Sequence, residues 1–159
     1  MAPKTAVLTS KAPKPLPVFS QAIVHNGMIY CSGSIGVDPA TNKLVSGGVA
    51  ERTNQALNNL AAVLEAGGSS LKNVVKINAF ITTMDDFAEM NKVYETFFAD
   101  EPKPCRTCVA VKQLPLDTDV EIECIAYLYE MTPSINLLKV EPALLTTGCK
   151  HRNEAKAKL

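Results

Sequence analysis

Asn26-Gly27 stands between two short apolar runs, Ala22-Ile23-Val24-His25 and Met28-Ile29-Tyr30-Cys31. A two-residue type I′ turn needs positive φ at both central positions, and Asn followed by Gly meets that need at least cost. The pair therefore predicts an antiparallel hairpin. Asp38-Pro39-Ala40-Thr41-Asn42 follows as a turn-rich loop. From Val49 the hydrophobic period changes, and Leu57, Leu60, Ala61 and Leu64 recur at helical spacing. Gly67-Gly68 supply a left-handed stop to that helix. Val74 to Thr82 then reads as a strand. Thr83, with Asp86 three residues on, has the arrangement of a capping box and predicts a second helix from Thr83. Phe87, Met90, Tyr94 and Phe97 form its buried stripe, and Pro102 prevents much extension beyond Asp100. Cys105 to Val111 and Val120 to Leu128 read as two further strands, separated by a loop with Leu114-Pro115. In the last strand Val120, Ile122, Cys124 and Ala126 alternate with Glu121 and Glu123, so one face is core and the other carries carboxylates. The order predicts an α+β fold, a mixed sheet with two helices packed on one face.

A chain of 159 residues, 47% hydrophobic and 20% charged, fits one domain with a core of its own. The periodic signals fade after Tyr129, so residues 1–130 are expected to form the domain and 131–159 an appended C-terminal extension. No stretch is apolar enough to span a bilayer. Lys+Arg and Asp+Glu both number 16, a net charge of +0 that lacks the basic field phosphate-dominated RNA or DNA binding needs. The five cysteines are an odd number and read as reduced thiols. Cys105-Arg106-Thr107-Cys108 has CxxC spacing but opens a β-branched run rather than a helix, which removes the usual cause of a reactive thiol. His25 and His151 lie at no ligand spacing to it, so no zinc site is expected. The N-terminus lacks the apolar run of a secretory signal. Its early lysines suit a mitochondrial presequence, but it has no arginine, and Pro13, Pro15 and Pro17 break any amphipathic helix. The cytosol is the expected location. Ala157-Lys158-Leu159 is similar to a peroxisomal Ser-Lys-Leu address, which makes the peroxisome a second expectation.

Several residues admit both a structural and a chemical role. Arg106, at the mouth of a strand, is either a surface arginine or a bidentate clamp for a small carboxylate. Glu121 and Glu123 either decorate a solvated strand face, form ion pairs within an oligomer, or supply a carboxylate that positions or activates water. Asn91 shares the apolar face of the second helix. A buried amide must find partners there or cost about 1–3 kcal/mol, so it serves local backbone or a ligand. Gly33, between Ser32 and Ser34, marks a bulge or a close backbone approach. Cys108 reads as a small buried residue rather than a nucleophile, with no histidine near it in sequence.

Arg106-Thr107-Cys108-Val109-Ala110-Val111, Leu114-Pro115 and Val120-Glu121-Ile122-Glu123-Cys124-Ile125-Ala126 resemble the signature block of the RidA (YjgF/YER057c/UK114) family. Phe19-Ser20-Gln21-Ala22-Ile23, Ser32-Gly33-Ser34-Ile35, Asn73-Val74-Val75-Lys76 and Asn91 to Phe98 extend the resemblance from about Pro17 to Tyr129. It implies a chorismate-mutase-like fold assembled as a homotrimer, with sites in the clefts between subunits, no metal and no bound cofactor. The implied activity is hydrolytic deamination of 2-iminopropanoate and 2-iminobutanoate to 2-keto acids. By that resemblance Arg106 grips the substrate carboxylate and Glu121 orients the hydrolytic water. The Cys108 main-chain carbonyl helps hold that water, while Phe19, Ser32, Gly33 and Asn91 line the site. Phe19 stands where the family usually has tyrosine, and Ser34 and Gly36 replace a common glutamine and proline. Two other functions compete: a trimeric carboxylate-binding or chaperone-like protein without turnover, and an endoribonuclease or translation inhibitor.

Overall fold

The computed structural model describes residues 3–129. The expected extension over 131–159 and its terminal tripeptide fall outside them. The main sheet contains β1 (Thr5–Val7), β2 (Ala22–His25), β3 (Met28–Ser34), β6 (Val74–Ile81), β7 (Cys105–Ala110) and β8 (Val120–Tyr127). Its spatial order is β1-β2-β3-β8-β6-β7. Only the β6–β7 pair is parallel, so the sheet is mixed, as expected. A separate small hairpin, β4 (Val37–Asp38) with β5 (Lys43–Leu44), flanks the turn-rich loop. Among the described residues the two α-helices are α1 (Val49–Ala66) and α2 (Phe87–Phe97).

Local chemistry explains these boundaries. Asn26 at φ 49° and Gly27 at φ 75° make the hairpin turn, with His25 opposite Met28. Helix α1 ends in a Schellman motif: Ser69 N–H donates to the Leu64 carbonyl at 2.8 Å and Gly68 N–H to Glu65 at 3.1 Å. The left-handed residue is Gly68, at φ +82°, while Gly67 has an ordinary φ and is small for another reason. A Cβ on Gly67 would collide with the Ile29 side chain beneath it.

The second helix departs from its predicted start. Thr83 caps a 3-10 turn over Met84–Asp86, accepting from the Asp85 N–H at 3.2 Å, and α2 proper begins at Phe87. Asp86 sends its own N–H to the Thr83 carbonyl at 3.3 Å, and the Thr83 hydroxyl accepts from Asp85 instead, so the expected capping box does not form. Strand β1 has no counterpart in the sequence reading; it is a three-residue segment whose partner lies on β2.

Both helices cover one sheet face. Leu57, Leu60 and Leu64 of α1 and Met90 of α2 meet Ile77, Ile81, Ile122 and Ala126 in a continuous core. Among the described residues nothing covers the opposite face, which mixes apolar residues, among them Tyr30, Val109 and Tyr127, with Glu121 and Glu123.

Candidate active site

Sheet register sorts the chemistry-bearing residues onto two faces. Residues paired across adjacent strands point to the same side. Ile77, in the core, pairs with both Cys124 on β8 and Arg106 on β7, which sends Arg106 to the helix face. Phe80 pairs with Glu121, and Asn78 with Glu123, on the open face. Asn78 Nδ2 donates to Glu123 Oε1 at 2.7 Å, which confirms that orientation.

The first half-site is built by α2 against β7. Arg106 Nη1 donates to Asn91 Oδ1 at 2.7 Å. The guanidinium carbon lies 4.6 Å from the Tyr94 ring centroid and 5.5 Å from that of Phe87. Tyr94 is itself stacked on Phe98 at 4.6 Å. The aromatic faces and the amide hold the planar cation in one orientation, as a carboxylate clamp requires. The Asn91 oxygen thus accepts from a side chain rather than from local backbone, and orients Arg106. The sequence reading gave Tyr94 and Phe87 to the buried stripe alone. Their helical spacing to Asn91 was visible, but which β7 side chain they would meet depends on nonlocal packing.

Main-chain geometry around Cys108 supports a backbone role. Strand β7 is a sheet edge, and Val111 N–H donates inward to the Ile81 carbonyl at 2.8 Å. Main-chain groups alternate in direction along a strand, so those of Arg106 and Cys108 turn toward the free edge. Burial pushes the Cys108 thiol up, and this outweighs the opposing effect of the nearby Arg106 charge. A thiol held protonated is a poor nucleophile. Cys105 and Cys108, an odd number of positions apart, point to opposite faces, which ends the redox reading of their CxxC spacing.

The second half-site surrounds Glu121. The β3–β8 register shifts between Cys31 and Ser34, and this bulge presses Gly33 against the carboxylate. A Cβ on Gly33 would run into Glu121 Oε1. Ser32 Oγ donates to the Ser20 carbonyl at 2.7 Å, fixing the segment that carries Phe19. Phe19, Ser32, Gly33 and Glu121 share a cavity of about 500 Å³. Burial, and then the neighbouring Glu123 charge, raise the Glu121 carboxyl above the ordinary carboxylate range. Such a group is poised for proton transfer.

The two half-sites do not meet within one chain. Arg106 and Glu121 lie two strands and three residues apart, a main-chain separation of roughly 14 Å, and their side chains leave opposite faces. None of Arg106, Asn91 or Cys108 lines the Glu121 cavity.

A family model described as endoribonuclease L-PSP matches residues 9–128. The chain belongs to the RidA family. The fission yeast protein mmf1, mitochondrial, is 50% identical over 79% of this chain and 77% of its own length. The 2-iminobutanoate/2-iminopropanoate deaminase of Dermatophagoides farinae is 40% identical over 80% of this chain and 99% of its own. Among solved structures, Escherichia coli TdcF with bound serine has a TM-score of 0.73 at 34% identity, covering 77% of this chain and 98% of that one. Names within this RidA group therefore point to two reactions.

Proposed function

We propose that this RidA-family protein hydrolyses 2-imino acids to 2-keto acids and ammonia, at sites completed when the Arg106 half of one copy meets the Glu121 half of another in a homotrimer. The observations that carry the reading are an oriented, fork-bearing arginine on one face of the sheet and a desolvated carboxylate beside a cavity on the other. A 2-imino acid presents a carboxylate adjacent to an electrophilic C=N carbon. Arg106 grips the carboxylate through two parallel charge-assisted hydrogen bonds and aligns that carbon. Glu121 takes a proton from the attacking water as the C–O bond forms, and returns it to nitrogen. The resulting carbinolamine breaks its C–N bond, closes to the keto acid and releases ammonia. The Cys108 carbonyl, at the free edge, holds the water without chemistry at sulfur. The D. farinae relative's name and the serine bound to TdcF support a small amino-acid-like ligand. The uncovered sheet face, with Tyr30, Val109 and Tyr127 exposed, supports association of copies. The net charge of +0 counts against RNA as the substrate.

The test is pyruvate release from 2-iminopropanoate generated in situ. The purified protein is expected to accelerate it, and the Arg106→Ala variant is not. No acceleration by the intact protein would refute the reading, and keto-acid binding without turnover would favour a carboxylate-binding protein instead.

A further inference from the structure

Between β1 and β2 the chain crosses the mouth of the Glu121 cavity as an irregular strap. Pro13, Pro15 and Pro17 carry no N–H, so this stretch cannot join the sheet as a strand. Gln21, 7% exposed, supplies the missing partner. Its Oε1 accepts from the Thr9 N–H at 2.7 Å. Its Nε2 faces the carbonyls of Thr9 at 3.1 Å, Pro13 at 2.8 Å and Ala12 at 3.4 Å. One amide side chain therefore holds both ends of a loop. Among the described residues, hydrogen bonds tying the strap between Thr9 and Pro13 to the sheet all run to Gln21.

The strap so held forms the cavity roof through Pro13, Pro15, Leu16 and Phe19, opposite Leu60 and Val63 of α1. The ionisable side chains lining the cavity are Lys14 and Glu121. Its volume, about 500 Å³, far exceeds what a methyl group fills. With the reacting carbon at Glu121 and the carboxylate drawn toward Arg106 of a second copy, the remaining substituent has this apolar chamber to enter.

We infer that Gln21 is a positioning residue that sets specificity: by pinning the strap, it fixes an apolar roof that selects imino acids with long or branched apolar side chains. This rests on the imine-hydrolase reading. Two measurements on the full chain test it. In the first, trypsin cleavage after Lys11 reports strap release, because Lys11 is exposed but the following Ala12 is buried. Gln21→Leu is expected to speed that cut about tenfold, the effect of losing roughly 1.4 kcal/mol of pinning.

In the second, kcat/KM is compared for 4-methyl-2-iminopentanoate and 2-iminopropanoate. The native protein is expected to favour the larger substrate at least about tenfold, as packing of extra methylenes allows. Gln21→Leu is expected to erase most of that preference through KM, with kcat for 2-iminopropanoate nearly unchanged. Leu16→Ala, at an exposed roof position that folding does not need, is expected to lower the preference as well, and decides the matter if Gln21→Leu does not fold. Equal kcat/KM for the two substrates in the native protein, or an intact preference in a variant whose strap has been released, would overturn the inference. Should the native protein hydrolyse no imine, the imine-hydrolase reading fails by itself. The roof is then judged by whether 4-methyl-2-oxopentanoate binds more tightly than pyruvate.

Discussion

Arg106 and Glu121 are each prepared for one task, and their variants separate those tasks. Lysine at 106 keeps the charge but loses the planar fork that Asn91 and Tyr94 orient, so Arg106→Lys is expected to lower kcat/KM about 100-fold. Near-native activity in that variant would remove the bidentate clamp. Cys108→Ser is expected to spare catalysis, since the main chain supplies its contribution. Glu121 carries a testable sign. Its folded-state carboxyl is raised by burial and by Glu123. Its neutral form is therefore the one the fold favours, a contribution fully present below the unfolded pKa and lost as pH rises through the folded one. Glu121→Gln should then raise Tm at neutral pH, but not in acid where the carboxyl is already neutral, while turnover falls about 100-fold or more. Glu123→Gln removes a like charge and should shift the acidic limb of kcat/KM to lower pH, with the plateau little changed. Equal losses in the two glutamine variants, measured by pH-rate profiles, would mean that the working carboxylate has been misassigned.

Elements supply the order that these residues need. Helix α2 acts as a platform: Tyr94, stacked on Phe98, bears the Arg106 plane. Tyr94→Leu is expected to raise the Kd for a 2-keto acid about tenfold, with Tyr94→Phe close to native because the ring rather than the hydroxyl makes the contact. If both variants bind as the native protein does, the platform has no functional part. The hairpin, α1 and β8 were legible in sequence because their signals are local: a turn dipeptide, a helical stripe with a glycine stop, a strict alternation. Strand β1 was not, since three residues carry no period and its existence depends on Val7 meeting Ala22 across the strap. The predicted start of the second helix was four residues early because Thr83 can cap a 3-10 turn as well as an α-helix. Gln21 was legible only as part of a motif, and its role escaped notice for a similar reason. Its partners are main-chain atoms up to 12 residues away, and no side-chain pattern marks them.

At the scale of the whole molecule, the main finding is a division. Sequence resemblance named Arg106, Glu121, Cys108, Asn91, Phe19, Ser32 and Gly33 together, but the register of β6 with its two neighbours puts Arg106 and Cys108 on one face and Glu121 on the other, with Asn91 beside Arg106 and Phe19, Ser32 and Gly33 around the Glu121 cavity. Under the proposed function, association of copies brings such groups to one small substrate, and the exposed sheet face offers a surface for it. The most direct test mixes two inactive variants. Arg106→Ala lacks every clamp and Glu121→Ala every acid/base group, so each alone should be inactive toward 2-iminopropanoate. When equal amounts are unfolded together, refolded and allowed to assemble, random mixing gives an intact Arg106 beside an intact Glu121 at about one quarter of the intersubunit sites. The expected result is recovery of about one quarter of native activity. No recovery, from mixed assemblies verified to contain both variants, would contradict a site shared between copies.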